Sequence, residues 1–136
     1  MPEVVVDTNV LISFALDRDP KQQDLAEELF LRARNGEIVV ALPQFIIFEA
    51  IYALRTFYNF LPHEITPMIR EAFALPGVTV IDDFDWALFF DHWSDLRRAV
   101  GDAAVLALAI DKHYVLATFD RKLANRARTF GVAPYW

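Results

Sequence analysis

Four acidic residues stand where the surrounding sequence is strongly apolar. Asp7 directly follows the run VVV, and Asp120 comes two residues after the run YVLAT. Glu49 is the only charged residue in FIIFEAIYAL, and Asp102 opens DAAVLALA. A carboxylate in apolar surroundings is unfavourable unless it is paired, hydrogen-bonded or bound to a metal ion. These four acids are therefore the first candidates for a functional site.

Each acid taken alone also has a purely structural explanation. Asp7 and Asp120 can each be the N-cap of the helix that follows, since Asp caps helices well. Asp102 suits the first turn of a helix. Glu49 can be an exposed acid on an otherwise buried helix, although no basic residue lies within one turn to pair with it. Asp111, on the opposite side of its helix from Asp102, is expected to be solvated.

The elements around the acids predict how they come together. Short continuous apolar runs are typical of strands covered on both faces, and they occur at 4–6, 38–41, 78–81 and 114–118. Helical patterns lie between them, at 20–34, 43–57, 62–74, 84–98, 102–112 and 120–130, and a helix is also expected to follow Asp7 from Val10. The closing segment VAPYW is interpreted as a final edge strand. Alternating strands and helices predict an α/β fold around a mostly parallel sheet, as a single domain over 1–136.

The predicted fold places the acids at one edge. In parallel sheets, sites form beyond the carboxyl ends of the strands, and one crevice there could collect all four side chains. Like charges at short distance raise each other's pKa, and a divalent cation relieves that repulsion. Oxygen ligands point to Mg²⁺ or Mn²⁺ rather than zinc. The chain has no cysteine, which excludes thiolate catalysis and cysteine-based metal sites.

Composition limits the other functions. The net charge is −6, which argues against binding nucleic acid by bulk electrostatics unless bound cations take part. The segment MPEVVVDTN lacks the features of a signal peptide. The longest apolar stretch is interrupted by Pro43, Gln44 and Glu49, so it is not expected to span a membrane. We expect a cytoplasmic protein.

Four fragments of the sequence resemble the PIN-domain family, and within it the small VapC-type toxin ribonucleases. They are VVVDTNVLIS, FEAIYAL, GDAAVLALA and VLATFDRKLA, which occur in the family's order and span essentially the whole chain. The resemblance implies a three-layer α/β/α sandwich with a metal-dependent nuclease site. The catalytic, metal-binding residues that it implies are Asp7, Glu49, Asp102 and Asp120.

The same resemblance implies a mechanism and supporting residues. One or two Mg²⁺ or Mn²⁺ ions would promote hydrolysis of RNA phosphodiester bonds, with Asp7 as the central ligand. Asn9 and Thr118 occupy the polar positions of the motifs and are expected to orient Asp7 or a water molecule. No histidine is needed as a base, and the three histidines are expected on the surface: His63, His92 and His113.

Basic residues near the acids are candidates for contacts with RNA. Arg121, Asn125 and Arg128 share one helix face, with Lys122 and Arg126 beside it. This face could guide RNA into the site or could simply be solvated. Two further arginines, Arg97 and Arg98, precede Asp102 and could also reach a phosphate.

Surplus apolar residues suggest protein partners. Ile47, Phe48, Ile51 and Leu54 cannot all face one core if Glu49 faces the site. We expect them to contribute to a homodimer interface or to a groove for an antitoxin. A cognate antitoxin would block the acids, for instance by offering them an arginine.

The leading hypothesis is thus a metal-dependent endoribonuclease that acts as the toxin of a type II toxin–antitoxin pair. Phosphatase and phosphotransfer domains are disfavoured, because they need adjacent acids or Asp-x-Asp after the first strand, whereas this chain has Asp7-Thr8-Asn9. A non-catalytic RNA-binding or protein-interaction module of the same fold is the alternative.

Overall fold

The computed structural model describes residues 1–96 and 100–136. Arg97 and Arg98, which the sequence suggests as phosphate contacts, lie outside the described residues, as does the end of the predicted helix 84–98. No described helix is both long enough and apolar enough to cross a membrane.

A four-stranded parallel sheet forms the centre of the fold. Its strands are ordered β3-β2-β1-β4, with β1 (Glu3–Val6), β2 (Val39–Pro43), β3 (Val78–Ile81) and β4 (Val115–Ala117). Val4 pairs with Val40 on one side and with Val115 on the other, so β1 is a central strand. Val4, Val5 and Val6 are fully buried, as expected for a β-branched run covered on both faces. The predicted α/β fold with a parallel sheet is confirmed.

Helices connect the parallel strands and cover the sheet. The described residues form seven of them: α1 (Thr8–Ala15), α2 (Pro20–Arg34), α3 (Gln44–Thr56), α4 (Pro62–Ala74), α5 (Trp86–Leu96), α6 (Val100–Lys112) and α7 (Arg121–Thr129). All the predicted helices are present, with ends shifted by up to two residues among the described positions. Helix α1 starts at Thr8, immediately after Asp7, rather than at Val10.

Two predictions about strands are wrong. The segment VAPYW forms a single bridge beside β4, between Leu116 and Pro134, instead of a strand. Pro134 has no backbone N–H to extend a ladder. Strand β3 is not covered on both faces, because it lies at the edge of the sheet, and Val80 is 41% exposed.

The positions of several apolar and histidine side chains also differ from expectation. Ile47 and Leu54 are buried in the core instead of forming partner surface, whereas Phe48 is 67% exposed. His92 is buried, not on the surface, and packs edge-on against Phe130 with ring centroids 4.7 Å apart. Helical spacing does not fix the direction of a side chain when a helix contacts neighbours on more than one side.

The turn into β3 requires a glycine, and we expect Gly77→Ala to be strongly destabilising. Gly77 has φ +83°, and a Cβ there would overlap the carbonyl oxygen of Ala33 and lie 2.9 Å from its carbonyl carbon. Gly36 has φ +77° with nothing within 4 Å of a Cβ, so Gly36→Ala is a matched control. The control should cost about 1–2 kcal/mol for the left-handed backbone. Gly77→Ala should cost about 1–3 kcal/mol more, as measured by urea unfolding, and equal losses would contradict the predicted overlap.

Candidate active site

Asp7 lies at the carboxyl end of the central strand and is buried, with 5% exposure. Its backbone N–H donates to the carbonyl of Ala117 at the end of β4, 3.0 Å away. Its Oδ1 accepts from the N–H of Thr8 at 2.8 Å, which makes Asp7 the N-cap of α1. Its Oδ2 accepts from the hydroxyl of Thr118 at 2.9 Å. Both oxygens are therefore held in defined directions.

Thr118 connects two of the acids. Its hydroxyl donates to Asp7 and accepts from the backbone N–H of Asp120 at 3.1 Å. This contact agrees with the orienting role expected for Thr118. Asn9 lines the cleft that also contains Asp7, and its backbone carbonyl accepts a hydrogen bond from Arg18 at 3.3 Å. Its expected orienting role stays a prediction.

Burial and neighbouring charge both act on Asp7. Burial raises the pKa of Asp7 from 3.8 to about 6, while the hydrogen bonds from Thr118 and Thr8 partly oppose that rise. The negative charges of Asp102 and Glu49 are smaller causes of the same rise.

Glu49 of α3 lines the same cleft as Asp7 and is exposed, as the structural explanation for this acid allowed. Its Oε1 accepts a hydrogen bond from the hydroxyl of Thr8. Its carboxylate also fills the space that a side chain at position 101 would occupy: a Cβ on Gly101 would overlap Oε2 and lie 2.9 Å from Cδ. Thr8 and Gly101 thus set the position of Glu49.

The other two acids stand at helix starts. Asp102 lies in the first turn of α6 and is half-buried. Asp120 is the N-cap of α7, with Oδ1 accepting from the backbone N–H of Lys122 at 2.9 Å and of Leu123 at 3.2 Å. The structural and functional explanations for these acids are therefore compatible, because a capping carboxylate has a second oxygen.

A single cleft of about 430 Å³ brings the four acids together. It is lined by Asp7, Glu49, Asp102 and Asp120 with the α1 residues Thr8, Asn9 and Ile12 and the α3-side residues Tyr52, Ala53, Phe57 and Tyr58. None of the described residues that line it is Lys, Arg or His. The cleft therefore concentrates negative charge around one buried carboxylate.

The donor set of the cleft fits a hard divalent cation. Its charged ligands are all carboxylate oxygens, which Mg²⁺ and Mn²⁺ prefer. Among residues 1–96 and 100–136, however, no group of three or more His, Asp or Glu side chains is already arranged to hold a metal ion.

The basic residues expected to contact RNA separate into two groups. Arg121, Asn125 and Arg128 line a groove beside the cleft, together with Lys21 of α2. Lys122 is exposed but does not line this groove. Arg126 lies over the ring of Phe130, 5.4 Å from its centroid.

Sequence reasoning missed Thr8, Gly101 and Lys21. Gly101 precedes the predicted helix 102–112, and only the structure places it inside α6, where glycine costs about 0.5–1 kcal/mol relative to alanine and so needs a reason. Thr8 and Lys21 carried no signal, since each becomes relevant only through a partner far along the chain.

Asp7→Asn should stabilise the metal-free protein at neutral and alkaline pH. The folded-state pKa of Asp7 is raised, so the folded state favours the protonated acid, and that contribution is lost as pH rises through about 6. This rise in the pKa of Asp7 corresponds to at most about 3 kcal/mol. Urea unfolding with a chelator should show the variant about 1–3 kcal/mol more stable at pH 8, with the difference gone below pH 4. The exposed Asp24→Asn controls for charge, and a pH-independent difference would contradict the assignment.

Gly101→Ala should displace the Glu49 carboxylate without unfolding the protein. Glu49 is a flexible side chain that can move away, and alanine's higher helix propensity offsets part of the crowding. We expect stability within about 1 kcal/mol of the parent and loss of the contact between Thr8 and Glu49. A crystal structure of the variant in which that hydrogen bond persists would refute the positioning role of Gly101.

Solved structures of other proteins share the fold of this chain. The solved structure of PAE2754 from Pyrobaculum aerophilum is 18% identical, with a TM-score of 0.70 over 98% of this chain and 83% of that one. VapC20 of Mycobacterium tuberculosis, described as a sarcin–ricin loop cleaving toxin, is 18% identical, with a TM-score of 0.66 over 90% and 94%. VapBC2 of Rickettsia felis, bound to a promoter DNA fragment, is 16% identical, with a TM-score of 0.67 over 97% and 96%.

These identities show a shared fold and no more. A search of curated proteins found no significant match. The family model described as "PIN domain", in contrast, matches residues 4–129, a range that includes all four acids and Thr118. The expected three-layer α/β/α arrangement is thereby confirmed, and the chain belongs to the PIN-domain family.

Proposed function

We propose that the protein is an endoribonuclease that hydrolyses RNA phosphodiester bonds with Mg²⁺ or Mn²⁺. The observation that carries the proposal is the cleft in which three further carboxylates surround the buried Asp7. PIN domains are generally nucleases, which agrees with this chemistry. An acidic cleft without a cation would repel a phosphodiester, so the substrate itself implies a metal ion.

Asp7, Glu49, Asp102 and Asp120 are the proposed metal ligands, directly or through water. A bound Mg²⁺ or Mn²⁺ would supply Lewis-acid activation of the attacking water and stabilisation of the charge on the phosphate. The raised pKa of Asp7 is consistent with a site that gains stability when a cation neutralises it.

The chain's own residues fix the geometry of this site. Thr118 and the Thr8 N–H hold the two oxygens of Asp7, and the Thr8 hydroxyl holds Glu49. Supporting hydrogen bonds of this kind typically change metal affinity or activity by about 10–100-fold when removed. The two threonines are therefore proposed to position the acids and not to react.

A role as the toxin of a toxin–antitoxin pair extends the proposal. One protein of the same fold, VapC20, is a toxin by its description, and another is VapBC2 bound to a fragment of promoter DNA. In this role a cognate antitoxin would occupy the acid cleft, for instance with an arginine. We further propose a cytoplasmic protein that forms a homodimer, for which the exposed Phe48 and Tyr52 of α3 are candidate contacts.

A non-catalytic RNA-binding or protein-interaction module is the second candidate. The specific observation in its favour is that no three described acids already form a metal site. Retention of all four acids in one cleft favours the nuclease.

RNA cleavage by matched carboxylate variants decides between these candidates. We expect cleavage of single-stranded RNA with Mg²⁺ or Mn²⁺ and none with a chelator. Asp7→Asn and Asp102→Asn should lose it, because each removes a proposed ligand, and Thr118→Val should lower the rate by about 10–100-fold. Gel-resolved cleavage of labelled RNA measures each rate, and calorimetry measures Mn²⁺ affinity, which Glu49→Gln should weaken.

Asp111→Asn is the control, since Asp111 lies on the same helix as Asp102 but is exposed outside the cleft. Every variant is purified identically, because a contaminating ribonuclease would cleave equally in all samples. Two outcomes would favour the binding module. One is RNA cleavage that Asp7→Asn leaves unchanged, and the other is no RNA cleavage with Mg²⁺ or with Mn²⁺.

A further inference from the structure

We infer that a groove between α2 and α7 binds a segment of single-stranded RNA next to the acid cleft. This α2–α7 groove has a volume of about 240 Å³, and the lining residues that matter here are Lys21, Gln22, Thr118, Arg121, Arg128 and Trp136. The inference rests on the proposed ribonuclease function, because it assigns a strand path to that site.

The groove is cationic in an acidic protein. Lys21, Arg121 and Arg128 line it, and the one acid among its lining residues is Asp19. The carboxylate of Asp19 is already engaged, because its Oδ1 accepts from the backbone N–H groups of Lys21 and Gln22 at 3.1 Å. With a net charge of −6 for the chain, this local excess of positive charge provides the phosphate attraction that the protein as a whole lacks.

The groove and the acid cleft are adjacent, and hydrogen bonds connect their lining residues although no residue lines both. Thr118 lines the groove and donates to Asp7 in the cleft. Arg18 provides a second connection, because its Nη2 donates to the carbonyl of Asn9 in the cleft and to Oε1 of Gln22 in the groove, each at 3.3 Å. A strand whose phosphate is at the acids can therefore continue past Arg18 onto the cationic residues.

Aromatic rings at the groove supply a surface for bases. The rings of Phe119 and Trp136 are stacked, with centroids 4.8 Å apart and an interplanar angle of 14°. Both residues line the groove, and Trp136 remains 36% exposed. Cationic grooves that combine backbone contacts with aromatic stacking are the usual means of binding single strands.

The aromatic pair also selects for strandedness. Bases inside a duplex already stack on one another, so they cannot stack on Trp136 without being unpaired. An unpaired strand can offer both its phosphates and its base faces. The ligand class is therefore single-stranded RNA, read by stacking and charge without base-specific hydrogen bonds.

RNA binding by groove variants tests the inference. All variants carry Asp7→Asn to prevent cleavage, and the probe is a fluorescein-labelled 12-nucleotide single-stranded RNA, alone or annealed to its complement, in the presence of Mg²⁺. The pair Lys21→Ala and Arg121→Ala removes two groove cations at exposed positions. Fluorescence anisotropy across a salt series should show weaker binding and a log–log salt slope that is shallower by about 1.4.

The matched control removes two positive charges elsewhere, with Arg34→Ala and Arg70→Ala. Both residues are exposed and line neither the groove nor the cleft. Arg34 is thirteen residues from Lys21 along α2, which is about 20 Å. The control pair should change the salt slope by less than about half as much as the groove pair does.

Substitution of Trp136 separates stacking from charge. Trp136→Ala should weaken single-strand binding about fivefold or more, with little effect on the duplex, and Trp136→Phe should retain most of the affinity. Thermal unfolding confirms that each variant folds. Arg121→Gln, a single exposed change, should still lower the salt slope by about 0.7 if Trp136→Ala does not fold.

Equal salt slopes for the groove and control pairs would overturn the inference. So would equal losses of single-strand and duplex binding in Trp136→Ala. A third outcome is that poly-glutamate competes as well as unlabelled RNA does, and to the same extent in Trp136→Ala. That result would instead assign the groove to an acidic protein partner. Failure of the nuclease proposal is distinguishable, because it appears as absent Asp7-dependent cleavage while the groove variants still change RNA binding.

Discussion

The hydrogen bond from Thr118 to Asp7 joins the ends of two neighbouring parallel strands, and the rest of the site depends on it. The strand order places β1 between β2 and β4, so the chain reverses direction across the sheet at this point, where ligand sites of α/β folds usually form. Asp7 then begins α1 and Asp120 begins α7, so both helices start at the cleft. The same carboxylates that cap helices are thus brought together around a shared space.

Sequence reasoning predicted the parts of this arrangement that depend on local pattern. Buried β-branched runs identify the strands, and an acid directly after a strand must lie at the carboxyl edge, which located Asp7 and Asp120. Glu49 was a candidate for the cleft because it is the only acid in an apolar helix, but whether it would be exposed or buried stayed open, because helical spacing does not reveal which neighbour covers a side chain. The positioning of Glu49 by Thr8 and Gly101 depends on contacts across 41 and 52 residues, which no local pattern encodes.

Charges of opposite sign are separated on the two sides of Thr118, in the acid cleft and in the α2–α7 groove. Acids line the cleft, and cations whose neighbouring acid is engaged as a helix cap line the α2–α7 groove. Net charge alone would have counted against any contact with nucleic acid. The separation of charges over a short distance matters more, because it allows an acidic chain to present a metal-binding surface and a phosphate-binding surface side by side.

The separation of 111 residues between Thr118 and Asp7 has a consequence for how the protein is made. Strand β4 is the last strand along the chain, yet it pairs with the first, so the ladder that completes the site closes the largest loop in the fold. In a ribosome-bound chain that has not yet released β4, Asp7 lacks the hydrogen bond from Thr118, and α7 cannot pack against the rest of the fold. Synthesis therefore has an intrinsic delay, during which the nascent chain cannot assemble its acidic centre.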